Sequence, residues 1–169
     1  MAEVPPGCVS LPDSARPMLP WILEAPLNRT KADFRALRER VGLSQLALAD
    51  DLGVSTRTVK RWESPDWPDP PADAWGLLDE ALARQDAIVD AAVDAASRTG
   101  AGSGMGVELS YYRNQAHMIE SGRDDGYFGM ANAAARRVAE ELRRLGFEPR
   151  FSYPEEAGPA LGAAMDATR

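Results

Sequence analysis

The sequence of 169 residues predicts a mainly helical α+β protein, with four helices in its first part and a small unit of strand, helix and strand in its second. Three observations support this class. Apolar residues recur at helical spacing between Thr30 and Ala96, with capping residues and glycines at the expected helix ends. Short stretches near Val107 and Phe147 alternate between apolar and polar residues, as half-buried strands do. An amphipathic segment separates these two stretches.

The composition is that of a globular protein, since 44% of the residues are hydrophobic. No apolar run has the length of a membrane span, and the first residues lack the pattern of a secretory signal, so we expect a cytoplasmic location. Cys8 is the single cysteine, which leaves no intramolecular disulfide and no thiolate metal cluster. No nucleophile in a recognisable setting and no phosphate-binding loop stands out. We therefore expect no enzyme, no catalytic residue, no cofactor and no metal.

Residues 1–29 are predicted to form a flexible arm, because they hold six of the 13 prolines. An apolar cluster near the end of the arm is expected to dock on the rest of the chain; it consists of Leu19, Trp21, Ile22 and Leu23. The alternative is an arm that follows DNA, although Arg16 and Arg29 are its only cations.

The first helix is expected to begin after Thr30, with Asp33 completing a capping box, and to end at Gly42. Its inward positions are Phe34, Leu37 and Val41.

The segment from Gly42 to Glu63 predicts two short helices around a tight turn. Ser44 is a suitable N-cap for the helix 45–52, and Ser55 for the helix that follows. Gly53 lies between them and can adopt positive φ at no steric cost. The apolar positions of the helix 45–52 are Leu46, Leu48, Ala49 and Leu52. The next helix turns Val59 and Trp62 inward, and its outward residues are Thr56, Arg57, Lys60 and Arg61.

This segment, from Lys31 to Glu63, resembles the helix-turn-helix of the Cro/Xre family, the fold of lambda-type phage repressors. The matching stretches are GLSQ at 42–45, LA at 48–49, LGVS at 52–55 and RTVKRWE at 57–63. The resemblance implies a four-helix, lambda-repressor-like domain that binds double-stranded DNA. It directs Ser55, Thr56, Arg57 and Lys60 toward base edges, and Ser44, Gln45 and Arg61 toward phosphates. An ordinary helical hairpin with a solvated charged face is the alternative.

Charge is divided along the chain. The net charge is −7, yet residues 30–65 carry a balance of +2 and residues 66–97 a balance of −7. Such a separation favours a docking orientation in which the cationic face meets phosphate.

Residues 64–71 hold four prolines and predict a rigid connector, in which Trp67 is expected to fill an edge of the core; a ligand role for Trp67 is a weak alternative. A long helix is expected from Ala72 to Ala96. Its apolar positions are Leu78, Leu82, Val89, Ala92 and Ala96. Its aspartates, at positions 79, 86, 90 and 94, predict a solvated face, while pairing with a second subunit is the alternative.

The predicted domains are the arm 1–29, a helix-turn-helix domain 30–97, a Gly/Ser linker 98–106, a small α+β dimerisation domain 107–153 and a flexible tail 154–169.

The α+β domain 107–153 is expected to begin with a strand that runs to Tyr112. A polar stretch 113–126 with a turn at Asp124 and Asp125 follows, then a helix from Phe128 to Leu145 and a second strand. One strand is expected to bury Val107, Leu109 and Tyr111, the other Phe147, Phe151 and Tyr153. The stripe of the helix is Ala131, Ala134, Ala135, Val138, Leu142 and Leu145. This apolar stripe is expected to be buried against either the long acidic helix or a second copy of the chain.

His117, the single histidine, is expected to be a hydrogen-bonded surface residue instead of a catalytic one.

The second half also resembles, more loosely, the carboxy-terminal unit of YdiL-type regulators and of some anti-CRISPR-associated repressors, through YYRNQAHM and DGYFGMANAAARRVAEEL. We expect a sequence-specific, autoregulatory repressor of phage or mobile-element type, acting as a homodimer on an inverted repeat. The alternative is an antitoxin or adaptor whose second half binds a partner protein.

Overall fold

The computed structural model describes residues 29–98 and 106–156. The predicted class is confirmed, because these residues form a mainly helical α+β structure with one two-stranded parallel sheet. The elements are α1 (Lys31–Val41), α2 (Gln45–Asp51), α3 (Thr56–Trp62), α4 (Ala72–Arg98), β1 (Gly106–Ser110), α5 (Gln115–Glu120), α6 (Phe128–Arg144), β2 (Glu148–Ser152) and a short 3-10 turn (Pro154–Glu156).

The chemistry of the termini of α1 is as predicted. The Thr30 hydroxyl accepts a hydrogen bond from the backbone N–H of Asp33 at 3.1 Å, and the Asp33 carboxylate accepts one from the N–H of Thr30 at 2.7 Å. This capping box satisfies two of the N–H groups that a helix start leaves unpaired. Gly42 ends the helix with φ of 82°, in the region where only glycine is unstrained.

The core of the first part surrounds Phe34, which is fully buried between α1, α3 and α4. Trp62 and Trp75 meet its ring edge to face, with ring centroids at 6.3 and 5.0 Å. Aromatic pairs prefer this geometry because the edge of one ring is positive and the face of the other negative. The other buried apolar residues of this core are Val41, Leu43, Ala47, Leu48, Ala49, Val59, Ala74, Leu78 and Ala81.

Two expectations about this core are wrong. Leu46 is 58% exposed, because the buried arc of α2 is centred on Leu48 and position 46 lies on the opposite side of the helix. Trp67 does not fill an edge of the core and is 45% exposed. The tryptophans that pack on Phe34 are Trp62 and Trp75.

The long helix α4 covers the stripe of α6, which answers the question of what buries it. Val138 and Leu142 of α6 form an apolar cluster with Phe147, and the residues packed on it are Val89, Ala92, Val93, Ala96, Val107 and Leu109. The second half therefore rests on the acidic helix of the same chain. The stripe is shorter than predicted, because α6 ends at Arg144 and Leu145 is 48% exposed.

Two of the four aspartates predicted to form a solvated face make ion pairs with other elements. Asp79 accepts two hydrogen bonds of 2.7 Å from Arg29, whose guanidinium also lies 4.7 Å from the centre of the Trp75 ring. Asp86 pairs with Arg137 of α6. The acidic side of α4 is thus partly used to attach its neighbours.

The sheet pairs β1 with β2 in parallel, with Val107 opposite Pro149 and Leu109 opposite Phe151. The crossover between the strands contains α5 and α6. β1 ends at Ser110, two residues before the predicted end, and Tyr112 turns into the structure with 2% exposure. Its N–H donates to the Asn132 side chain at 2.8 Å. Phe151, expected to be buried, is 42% exposed.

Helix α5 lies in the stretch that was described from the sequence only as polar, and its His117 is not the surface residue that was expected. This residue is buried, with 6% exposure. Its Nδ1 accepts from the N–H of Arg113 at 3.1 Å, so Nε2 carries the proton and donates to Glu155 at 2.7 Å. The predicted turn before α6 is present, with Gly126 at φ of 94°.

Most of the predicted arm 1–29 with its apolar cluster, of the linker 98–106 and of the tail 154–169 lies outside the described residues. The division of the chain into domains stays a prediction. In residues 29–98 and 106–156, none of the helices is both long and apolar enough to span a bilayer.

Candidate nucleic-acid interface

Helices α2 and α3 form a compact pair around the turn at Gly53. The Ser44 hydroxyl accepts from the N–H of Ala47 at 3.0 Å, and the Ser55 hydroxyl from the N–H of Thr58 at 3.2 Å, so serine caps both helices as predicted. Gly53 adopts φ of 64°, which sends the chain directly from one helix into the next. A β-branched residue would be strained in this conformation.

A buried ion pair, which the sequence analysis missed, holds α1, α2 and α3 together. The Arg38 guanidinium donates to the Glu63 carboxylate at 2.5 and 3.2 Å, and both side chains are less than a tenth exposed. The same guanidinium donates to the carbonyl of Leu43 at 2.8 Å. The Gln45 amide adds a hydrogen bond of 2.7 Å to Glu63. Removing any member would leave a buried polar group without its partner.

A signal for this pair is present in the sequence. Position 38 lies four residues after Phe34 and three before Val41, on the inward stripe of α1. A cation in that position requires a buried carboxylate nearby. The sequence does not indicate which carboxylate pairs with this cation, because Glu63 is 25 residues away along the chain.

Helix α3 presents its cations on the side opposite Val59. Val59 is fully buried, whereas Arg57 and Lys60 are exposed. Thr56 is half-buried and stands at the first position of the helix. The hydroxyl of Ser55 lies 2.9 Å from that of Thr58 in addition to its capping bond. The four residues predicted to face base edges are therefore together at the start and on the outer side of α3.

The three residues predicted to face phosphates are in different local settings. Ser44 is exposed while it caps α2. Gln45 is half-buried and already uses one N–H on Glu63, so a phosphate contact would use its second N–H. Arg61 is half-buried, and its guanidinium lies 4.2 Å from the centre of the Trp67 ring.

Several cations counted in the basic segment are used inside the structure. Arg38 is neutralised by Glu63, and Arg35 pairs with Glu39 at 2.8 Å. Lys31 donates to carbonyls of the connector and lies 3.6 Å from Asp69. Within the part of the chain that the structure describes, the cations of α3 at positions 57, 60 and 61 form no ion pair. Arg40 of α1 is also exposed and forms no ion pair with another described residue, so the positive charge of this segment that is available to a ligand lies on α3 and at Arg40.

The second half supports this helix pair at two places. A Cβ on Gly42 would lie 2.1 Å from the carbonyl oxygen of Gly129, so the turn after α1 touches α6 backbone to backbone. The Tyr127 hydroxyl donates to the Asp51 carboxylate at 2.8 Å, and this bond, with burial, raises the pKa of Tyr127 to about 12. The phenol is therefore neutral at physiological pH and its bond to α2 is intact.

A protein-family model described as a helix-turn-helix domain matches residues 32–92, which comprise most of α1, all of α2 and α3 and most of α4. No curated protein matches the chain. The match assigns this part of the chain to a helix-turn-helix domain, in agreement with the arrangement of α2 and α3.

Proposed function

We propose that the protein is a sequence-specific DNA-binding transcriptional regulator that inserts α3 into the major groove. The observation that carries this proposal is that Arg57 and Lys60 are exposed on the outer side of α3 in a helix-turn-helix domain, and that neither forms an ion pair with another described residue. A helix fits the major groove, where each base pair presents a distinct pattern of donors and acceptors.

The site residues follow from this docking. Arg57 and Lys60 reach guanine O6 and N7, while Ser55 and Thr56 contact base edges or a thymine methyl group. Ser44, Gln45 and Arg61 contact phosphates on either side, which sets the register of the helix on the duplex. The acidic face of α4 disfavours other orientations, because it repels the same phosphates.

The finer assignment is a repressor of the Cro/Xre family, of phage or mobile-element type, that acts as a homodimer and controls its own gene. Two-fold symmetry doubles the base contacts on an inverted repeat whose half-sites are about one helical turn apart. Apolar side chains that are exposed on α4 and in the second half are available for a subunit contact; they include Ile88, Ile119, Leu145 and Phe151. Repression would be steric, by occupation of a promoter.

The central experiment selects duplexes from a random library with the full chain and then measures their affinity by mobility shift at several salt concentrations. Arg57→Ala with Lys60→Ala is expected to reduce affinity for the selected duplex, at about 1 to 3 kcal/mol for each lost base contact. Arg84→Ala on the acidic helix is the control and should leave affinity unchanged or slightly lower, because it removes a cation that lies away from α3. Unchanged affinity and salt dependence in the double variant would show that α3 is misassigned.

The dimer is tested with the same duplexes. An inverted repeat should be enriched, and cutting it to one half-site should weaken binding far more than scrambling its outer flanks. Sedimentation of the free chain and of the complex gives the stoichiometry. A monomer on a single, asymmetric site would reject the homodimer.

An antitoxin or adaptor is the second candidate. The observation in its favour is that two apolar side chains of the second half, Ile119 and Phe151, are 53% and 42% exposed and so are available to contact another protein. Purification from the native host separates the two functions. A stoichiometric second protein supports the adaptor, and recovery of the chain alone counts against it.

A further inference from the structure

The connector after α3 holds an aromatic side chain at the surface without using it in the core. Trp67 is 45% exposed, and its backbone N–H donates to the carbonyl of Ser64 at 3.3 Å. The ammonium group of Lys31 donates to the carbonyl of Trp67, and to those of Ser64 and Pro65 at 3.2 and 3.4 Å. The backbone of this turn is therefore fixed to α1. The indole is therefore carried by a fixed backbone, although Trp67 is not part of the buried core.

The partner of this indole is the last cation of α3. The Arg61 guanidinium lies 4.2 Å from the centre of the Trp67 ring, within the distance of a cation–π contact. A guanidinium that stacks through its face keeps its N–H donors in the plane free for hydrogen bonds. No acid pairs with Arg61 among residues 29–98 and 106–156. The stack therefore orders the cation without neutralising it.

We infer that Trp67 is a positioning residue of the DNA interface, whose indole holds Arg61 ready to bind a backbone phosphate beside the end of α3. This inference rests on the proposed function. An arginine loses side-chain entropy when it is fixed by a ligand, and a side chain already fixed by stacking loses less on binding. A phosphate contact carries no sequence information, so the gain in affinity applies to any duplex.

A double-mutant cycle tests the inference with the full-length chain. Trp67→Ala should weaken binding about 3 to 10-fold, and equally for the selected duplex and a scrambled one, as expected for a phosphate contact. Arg61→Ala should weaken binding and reduce the salt slope by about one. In the Arg61→Ala background, Trp67→Ala should have no further effect, because the group that it positions is gone. Trp67→Tyr should retain most of the affinity.

A readout without DNA accompanies the cycle. The Arg61 guanidinium lies over the indole, so the NMR resonances of the side-chain protons beside it should be shifted upfield in the parent chain and in Trp67→Tyr. They should return to ordinary values in Trp67→Ala.

The outcomes separate the two proposals. If the parent chain binds no duplex, the proposed function fails and this inference fails with it. If the parent binds but Trp67→Ala binds equally well, or loses the same factor with and without Arg61, only the positioning role is overturned. Urea denaturation of each variant gives its folded fraction, so that a loss caused by unfolding is corrected before the comparison.

Discussion

Arg38 shows how a residue's position changes the meaning of its charge. In the segment sum it contributes to the balance of +2 that favoured DNA, but in the structure it is buried against Glu63. The pair removes one positive and one negative charge from the surface, so the segment sum is unchanged. What differs is where the exposed positive charge lies, because Arg38 does not contribute to it and most of the cations without an ion pair in this segment are on α3.

Replacing Arg38 with alanine is expected to destabilise the fold by about 3 to 5 kcal/mol, because Glu63 would remain buried without a partner. Arg35→Ala is the matched control, since its ion pair with Glu39 is exposed and worth at most about 1 kcal/mol. Urea denaturation measures both. Replacing Arg38 with Met and Glu63 with Leu together should restore much of the loss, and a single variant as stable as the control would contradict this role.

Glu155 is the residue whose titration should be visible in stability. A hydrogen bond to its own backbone N–H, together with His117 and Arg113, lowers the pKa of this carboxyl below its ordinary value of 4.5. Because the folded pKa is the lower one, the contribution to stability is present above about pH 4.5 and is lost as the pH falls through the folded pKa.

Glu155→Gln should therefore make the stability of the second half less dependent on pH in the acid range. The measurement is urea denaturation at a series of pH values from about 6 to 3, with Glu148→Gln on the exposed side of β2 as control. An equal acid dependence in the parent and in Glu155→Gln would contradict the assignment.

Helix boundaries could be predicted where they depend on adjacent residues. Thr30, Ser44 and Ser55 cap helices, and Gly42 and Gly53 end or separate them, because hydroxyl caps and positive φ are properties of a few residues. The side of a helix that faces the core was less predictable. Position 46 was placed inward because leucine is apolar, but a helix of seven residues has too little periodicity to locate its buried side. Helix α5 was not predicted, because it is also too short to show a helical period.

The contact of α6 with α1 provides a test at the level of elements. A Cβ on Gly129 would lie 2.3 Å from the carbonyl oxygen of Gly42, so Gly129→Ala must displace the start of α6. We expect a loss of about 1 to 3 kcal/mol, as for other overpacked sites. Gly76→Ala is the control, because a Cβ on Gly76 in α4 would meet no atom within 4 Å. There, alanine should stabilise the helix by about 0.5 to 1 kcal/mol.

These two changes have opposite expected signs, which makes the comparison sharp. Thermal unfolding of both variants is sufficient. A Gly129→Ala variant as stable as the parent would mean that α6 is not seated on the turn after α1.

On the scale of the whole molecule, the fold class was predictable and the docking of the second half was not. The stripe of α6 and the spacing of α4 each required a partner, and their sequences left two partners open. Contacts between the cluster around Val138 and residues such as Val89 join positions far apart in the chain, and no local pattern encodes that pairing. The residues predicted to face base edges lie close together along the chain, between Ser55 and Lys60, so their grouping at the start and on the outer side of α3 followed from helical geometry alone.

The shared core of α4 and α6 predicts that the described parts of the chain unfold together. Val138→Asp buries a carboxylate in this core, and hydrogen exchange should accelerate in α1 to α3 as well as in the second half. Arg143→Asp puts the same side chain on the exposed side of α6 and is the control. Faster exchange confined to residues 106–156 would show that the two parts are independent.

The hydrogen bond from Tyr127 to Asp51 and the contact of Gly42 with Gly129 also limit how the protein can be recombined. The segment that matches a helix-turn-helix domain ends at residue 92, whereas both of these partners lie beyond residue 120. A chimera that carries only the matched segment would expose a glycine turn and an unpaired carboxylate on α2. The portable unit of this protein is therefore longer than the unit that sequence comparison delimits.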